Sequence, residues 1–275
     1  MVFSKKILIL LAVVTASALC MASTYAWRQM VSKTNEFIGK NTDVTLHDDF
    51  DVSTGAKDVY VENTGSGEVF VRVRLDEAMD LTSSNKPDDS QWQPHVIGAT
   101  AEDCGHANPD GELFHDYFTW TLGGQKYYLP ADGTSQVVQD IADESANPDA
   151  KQTPYIDPST QIVSAAAYLA MDAADQASFI GWIWDTDGYA YWSQPLEKGE
   201  VTGLLLHKVT TDPSLSGTNY YYGIDVVAEA VDINDIPMWV SGAASVDGSG
   251  TTYQVATDDG KAVIEAIVSF SAATP

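Results

Sequence analysis

The sequence predicts an all-β fold of many short antiparallel strands joined by turns. Two observations carry this. Val, Ile, Thr, Tyr, Phe and Trp recur in short runs that Gly, Asn, Asp and Pro interrupt at close intervals, the pattern of strands ended by turn residues. Hydrophobic residues make up 44% of the 275 and aromatic residues 10%, enough to bury a large core and too much for a disordered chain.

The first element is a targeting segment. Lys5 and Lys6 precede an apolar and small-residue run over residues 7–19, and Thr24-Tyr25-Ala26 places small residues at the −3 and −1 positions of a cleavage site. This order predicts a secretory signal over residues 1–26, cut after Ala26, with Ala22 as the alternative. The run is shorter than the roughly 20 apolar residues that span a bilayer, so no stable membrane insertion is expected after cleavage. Leu19, before Cys20, is too large for a lipoprotein site. The expected location is outside the cell, secreted or at the cell surface. Residues 27–45 then form an N-terminal segment, and residues 46–275 form the β domain.

Within that domain, Val59-Tyr60-Val61-Glu62 reads as a strand, Asn63-Thr64-Gly65-Ser66-Gly67 as a turn and residues 68–75 as the partner strand of a hairpin. Val69, Val71, Val73 and Leu75 alternate with Phe70, Arg72 and Arg74. The alternation puts the Val/Leu set in the core and the arginines on a wetter face. Residues 82–112 and 130–160 are polar and read as long loop insertions. Residues 117–122 and 125–129 suggest a second hairpin around Gly123-Gly124. Residues 162–171 carry helix formers. Gly181-Trp182-Ile183-Trp184 and Tyr189-Ala190-Tyr191-Trp192 flank Asp185-Thr186-Asp187-Gly188 as a third hairpin. Residues 201–206 and 220–231 are further strands, and 261–269 suits either a helix or a strand.

Charge narrows the function classes. The chain holds 14 basic and 39 acidic residues, a net charge of −25. The signal contains two of the lysines and no acid, so the mature charge is −27. Such a chain repels nucleic acid and anionic lipid, and acid, salt or divalent cations would relieve repulsion between its copies. After cleavage only Cys104 remains of the two cysteines, so no intramolecular disulfide can form.

Catalytic motifs are missing. There is no Gly-x-Ser-x-Gly elbow, no Gly-rich phosphate loop and no His-Glu-x-x-His helix. The chain is therefore expected not to be an enzyme, and no cofactor is expected. His95, Cys104, His106 and His115 offer metal-ligand types, but Cys104-Gly105-His106 is too tight for the usual zinc spacing; a surface loop with scattered histidines is expected, and no metal site. Asp185 and Asp187 begin like a calcium loop, yet the twelfth position is Leu196 rather than Glu, which favours a β-turn and leaves them weak candidates. Trp182, Trp184, Tyr189, Tyr191 and Trp192 are expected to pack across their hairpin. The functional alternative is a platform that stacks on sugar rings, making the chain a cell-surface carbohydrate-binding module.

Three stretches resemble the TasA/camelysin superfamily, in particular the BsaA-type biofilm matrix proteins of Gram-positive bacteria. They are Thr24-Tyr25-Ala26-Trp27 with Asn35-Glu36-Phe37-Ile38-Gly39; Asp58 through Gly65 with Val69 through Leu75; and Trp184 through Trp192, continuing to Leu204-Leu205-Leu206. The resemblance implies a jelly-roll-like antiparallel β-sandwich, processing by a SipW-type signal peptidase, and a secreted product that self-associates into matrix fibres. It further implies that residues 27–39, including Trp27, Phe37 and Gly39, act as a strand donated to the next subunit. The insertions at 82–112 and 130–160 depart from the simplest members of that family.

Overall fold

Two sheets pack face to face, and each follows from alternating side chains. The computed structural model describes residues 31–35, 43–51, 54–96, 106–123, 161–243 and 253–271. The smaller sheet contains β2 (Val44–Asp51), β3 (Ala56–Asn63), β6 (Phe118–Leu122) and β10 (Leu206–Thr211), all antiparallel, in the order β2-β3-β10-β6. The larger sheet has seven strands. It contains β1 (Val31–Asn35), β4 (Phe70–Asp80), β7 (Gln161–Ser164), β8 (Gly181–Trp184), β9 (Tyr189–Trp192) and β11 (Tyr221–Val231), in the order β1-β11-β4-β9-β8-β7, and the short β5 (Gln93–Pro94) pairs with the far half of β4. Among the described residues only the β1–β11 and β7–β8 pairs are parallel.

The main core fills the space between the sheets. Val59 and Val61 of β3 meet Val71, Val73 and Leu75 of β4, Trp182 and Trp184 of β8, and Ile224 and Val226 of β11. This is the Val/Leu face that the alternation predicts. A second core lies on the other side of the larger sheet, under four helices: α1 (Ala165–Leu169), α2 (Ala173–Ser178), α3 (Ile236–Ser241) and α4 (Asp258–Ser271). There Phe70, Ile183, Tyr189 and Tyr191 from the sheet pack against Tyr168, Trp239, Val263, Ile264 and Ile267. The ambiguous stretch 261–269 is thus helix, and its apolar residues at 263, 264 and 267 recur at helical spacing on one face.

Three expectations are corrected. Strand 59–62 and strand 68–75 do not form a hairpin: β3 belongs to the smaller sheet and β4 to the larger. Asn63 explains the arch between them. Its amide donates to the carbonyls of Gly67 (2.7 Å) and Leu196 (2.8 Å), and its Oδ1 accepts from the Gly65 amide (2.9 Å). That buried side chain turns the strand end across the sandwich instead of back on itself. Second, Arg72 is not on a wet face. It is fully buried, because the helices cover that side. Third, the helix expected over 162–171 is confined to Ala165–Leu169 (α1), the start of the stretch being strand (β7), while 201–206 contributes one bridge at Val201 and then enters β10 at Leu206.

The signal residues with Ala22 and Ala26, residues 36–42 with Phe37 and Gly39, Trp27, Cys104 and the 124–160 stretch lie outside the described residues. Among the described residues no helix is long and apolar enough to cross a membrane.

Candidate functional site

The first candidate is the outer edge of the larger sheet. β1 runs parallel to β11, with Val31 opposite Ile224 and Asn35 opposite Ala228. On its other side β11 pairs with β4 along its whole length. Among the described residues β1 is therefore an end strand, paired along one side. The next described strand along the chain, β2, belongs to the other sheet. Without β1, the amides and carbonyls of 224–228 along that side would lack strand partners, an edge open to pairing with another chain.

The second candidate, the aromatic hairpin, faces inward. β8 and β9 pair as the sequence implies, with Trp182 opposite Trp192 and Ile183 opposite Tyr191. Trp182, Trp184 and Trp192 enter the core between the sheets, whereas Tyr189 and Tyr191 enter the core under the helices. None of the five is more than 6% exposed, so none offers an open face to a sugar ring. The indoles of Trp182 and Trp192 meet edge to face at 5.3 Å, a favoured aromatic geometry. The turn between the strands needs Gly188, whose φ of +90° is strained for other residues and whose Cβ, if present, would lie 2.6 Å from that of Pro94.

Asp185 and Asp187 serve this turn. Asp185 accepts from the Thr186 amide (2.7 Å) and from the Thr257 hydroxyl (2.6 Å), tying the hairpin to the start of α4. Asp187 accepts from the Tyr189 amide at 3.0 Å. Burial pushes the Asp187 carboxyl up; that hydrogen bond and the nearby arginines only partly oppose it. A raised carboxyl disfavours the folded state while ionised, and the cost fades as pH falls through its raised folded value. Asp187→Asn keeps an acceptor for Tyr189. It is expected to raise the thermal midpoint at pH 7.5 and to lose that advantage towards pH 4, as differential scanning calorimetry would measure.

The third candidate was not expected. His95, His106 and His115 are not scattered over a surface loop. His95 is fully buried, and the side chains of His106 and His115 are 12% and 10% exposed. All three rings converge on Glu77 of β4, itself fully buried. His95 Nδ1 lies 3.2 Å, His106 Nδ1 3.0 Å and His115 Nε2 3.2 Å from the same atom, Glu77 Oε1. The other oxygen, Oε2, accepts from the Tyr222 hydroxyl at 2.7 Å, which in turn accepts from Trp120 Nε1 at 2.7 Å. Burial pushes the Glu77 carboxyl up, but the hydrogen bonds with His106, His115 and His95 outweigh it and hold it well below the ordinary carboxylate range.

Local structure delivers each ring. β5 pairs with Asp76 and Glu77 of β4, and His95 follows it directly, its amide donating to the Leu75 carbonyl at 2.7 Å. The His95 ring stacks on Trp120 at 4.2 Å. His106 precedes the Ala107–Leu113 bridge, and His115 sits in the 3-10 turn Phe114–Asp116. His115 Nδ1 is 2.8 Å from the Phe118 carbonyl. One sequence signal for this cluster exists: Glu77 continues the inward phase of Val71, Val73 and Leu75 and precedes buried Met79 in the same phase. An acid in the apolar phase of a strand marks a buried polar site.

Compared with protein-family models, with curated proteins and with solved structures, the chain matches none.

Proposed function

We propose that this chain is a secreted structural protein of an extracellular, biofilm-type matrix that self-associates into fibres by passing its N-terminal strand to the next subunit. The observation that carries the proposal is β1, which among the described residues pairs with the sheet along one side, through β11. Passing that strand to a neighbour preserves every main-chain hydrogen bond of the pair while linking two molecules. Because donor and acceptor surfaces differ, the contact is head-to-tail, and it propagates into a fibre where the rotation between successive subunits does not close. The resemblance at residues 24–39 adds the timing: cleavage at Ala26 by a SipW-type peptidase would release the strand only after export. The reading is non-enzymatic.

The test uses register. Thr34 lies opposite Val227. Two mature proteins are made, one carrying Thr34→Cys and the other Val227→Cys, each with Cys104→Ser. Mixed under assembly conditions and oxidised, they should give a crosslinked heterodimer on a non-reducing gel, and removing residues 27–39 should leave monomers. Fibres that form without any 34–227 crosslink, or that form equally fast after the deletion, would contradict strand exchange.

A further inference from the structure

We propose that Glu77, His95 and His115, with His106 as the fourth donor, bind one divalent transition-metal ion, zinc being the best fit, as a structural clasp for the 82–112 segment. The donor atoms of Glu77, His95 and His115 all lie within 4.8 Å of one another, and the three nitrogens stand 3.0–3.2 Å from Glu77 Oε1. A tetrahedral zinc with bonds of about 2.0–2.1 Å has ligand-to-ligand edges of about 3.3 Å. The three nitrogen-to-oxygen distances already approach the edges of such a shell, and His106, which stands outside the 4.8 Å group, would move inward to complete it.

Hydrogen bonding alone accounts poorly for this arrangement. His115 Nδ1 faces the Phe118 carbonyl at 2.8 Å and must be the protonated nitrogen to bond to it. In the neutral ring, Nε2 then carries a lone pair, directed at a carboxylate oxygen. That approach is attractive only with positive charge between the two atoms. His95 and His106 can donate from Nδ1 as neutral rings, but with His115 held as an imidazolium three N–H donors then crowd one carboxylate oxygen, which offers about two lone pairs. One dication satisfies the three nitrogens and the carboxylate together.

The surroundings match those of a metal ligand set. Ligating histidines commonly donate their other nitrogen to a carbonyl, and ligating carboxylates are themselves hydrogen-bonded. His115 has the Phe118 carbonyl, Glu77 has Tyr222 backed by Trp120, and His95 is stacked against Trp120. Three imidazoles and one carboxylate suit zinc and its neighbours; calcium and magnesium prefer oxygen ligands. Four protein donors with little exposure describe a closed, structural site rather than a catalytic one with an open position. The ion would tie two loops to β4 in an exported chain whose mature form has a single cysteine, where a disulfide would otherwise do so.

The test uses the full mature protein, stripped with chelator and offered zinc chloride. It should retain close to one zinc per chain after desalting in excess magnesium and calcium, and zinc should restore a thermal midpoint that EDTA lowers. His115→Ala should bind zinc more weakly by more than the roughly 10–100-fold that loss of an outer-shell partner costs. X-ray absorption at the zinc edge of the unmutated protein should report imidazole scattering, and it decides the matter if His115→Ala fails to fold. Zinc that washes away, zinc bound equally by His115→Ala, or a spectrum without imidazole would overturn the proposal. Strand exchange at β1 stands or falls separately.

Discussion

Arg72→Ala is expected to destabilise the protein by about 3–5 kcal/mol, the cost of stripping one partner from a buried ion pair. Arg72 is fully buried, and the Glu229 side chain is only 5% exposed. The guanidinium donates from Nη2 to Glu229 Oε2 at 2.6 Å and from Nε at 2.8 Å, and Nη2 also reaches the Gln254 carbonyl at 2.7 Å. It lies over the ring of Tyr189 at 4.0 Å and that of Trp239 at 4.8 Å, so it connects the larger sheet to α3 and to the segment before α4. Removing it leaves the Glu229 carboxylate buried with the Tyr189 hydroxyl (2.6 Å) as a neutral donor. Arg72→Met with Glu229→Leu should be much less damaging than Arg72→Ala, because no charge is stranded; the remaining cost is mostly the Tyr189 hydroxyl, about 1–3 kcal/mol for an unsatisfied buried donor. Urea unfolding should show a lower midpoint for Arg72→Ala with an unchanged slope. A change below about 0.5 kcal/mol, ordinary for surface positions, would mean that the helices do not cover this face in solution.

Trp184→Ala is expected to cost about 3–5 kcal/mol, as large aromatic truncations in cores do. The side chain is 2% exposed. Its Nε1 donates to the carbonyls of His95 (2.9 Å) and Gly188 (3.1 Å), and its ring meets that of His95 at 5.1 Å. The one indole therefore joins the hairpin turn to the histidine cluster. Trp184→Phe keeps most of the buried area but leaves those carbonyls without their donor, and it should fall between the wild type and alanine in thermal unfolding. A sugar-binding platform predicts the opposite: lost glycan binding with stability nearly unchanged. A Trp184→Ala protein as stable as the parent would put this indole at the surface.

The sequence was most informative where one residue pattern had one physical outcome. The third hairpin was legible because Asp-Thr-Asp-Gly between two aromatic strands suits a tight turn, and Gly188 takes the positive φ that the turn needs. The inward phase of β4 was legible because period-two alternation assigns faces. Alternation does not assign partners, however. Strand 59–62 faces the core in either arrangement, and Asn63, reaching the Leu196 carbonyl 133 positions along the chain, decides that it arches to the other sheet.

The buried charges were misread for a related reason. Arg72 occupies the phase opposite the valines, which is wet in a two-layer sandwich and dry once helices form a third layer. Lys57 and Asp48 are the reverse case. Each sits in the apolar phase of its strand, and they pair with one another where both are buried.

By itself the sequence determined the inward face of β4, the acidity of the chain and its β-rich composition. Only the tertiary structure decided which strands pair, which arginine is dry, and that Glu77, His95, His106 and His115 share one point. Local pattern is set by a residue's near neighbours, at spacings of two to four. A site drawn from positions 77, 95, 106 and 115 exists only after chain segments up to 38 residues apart have been folded together.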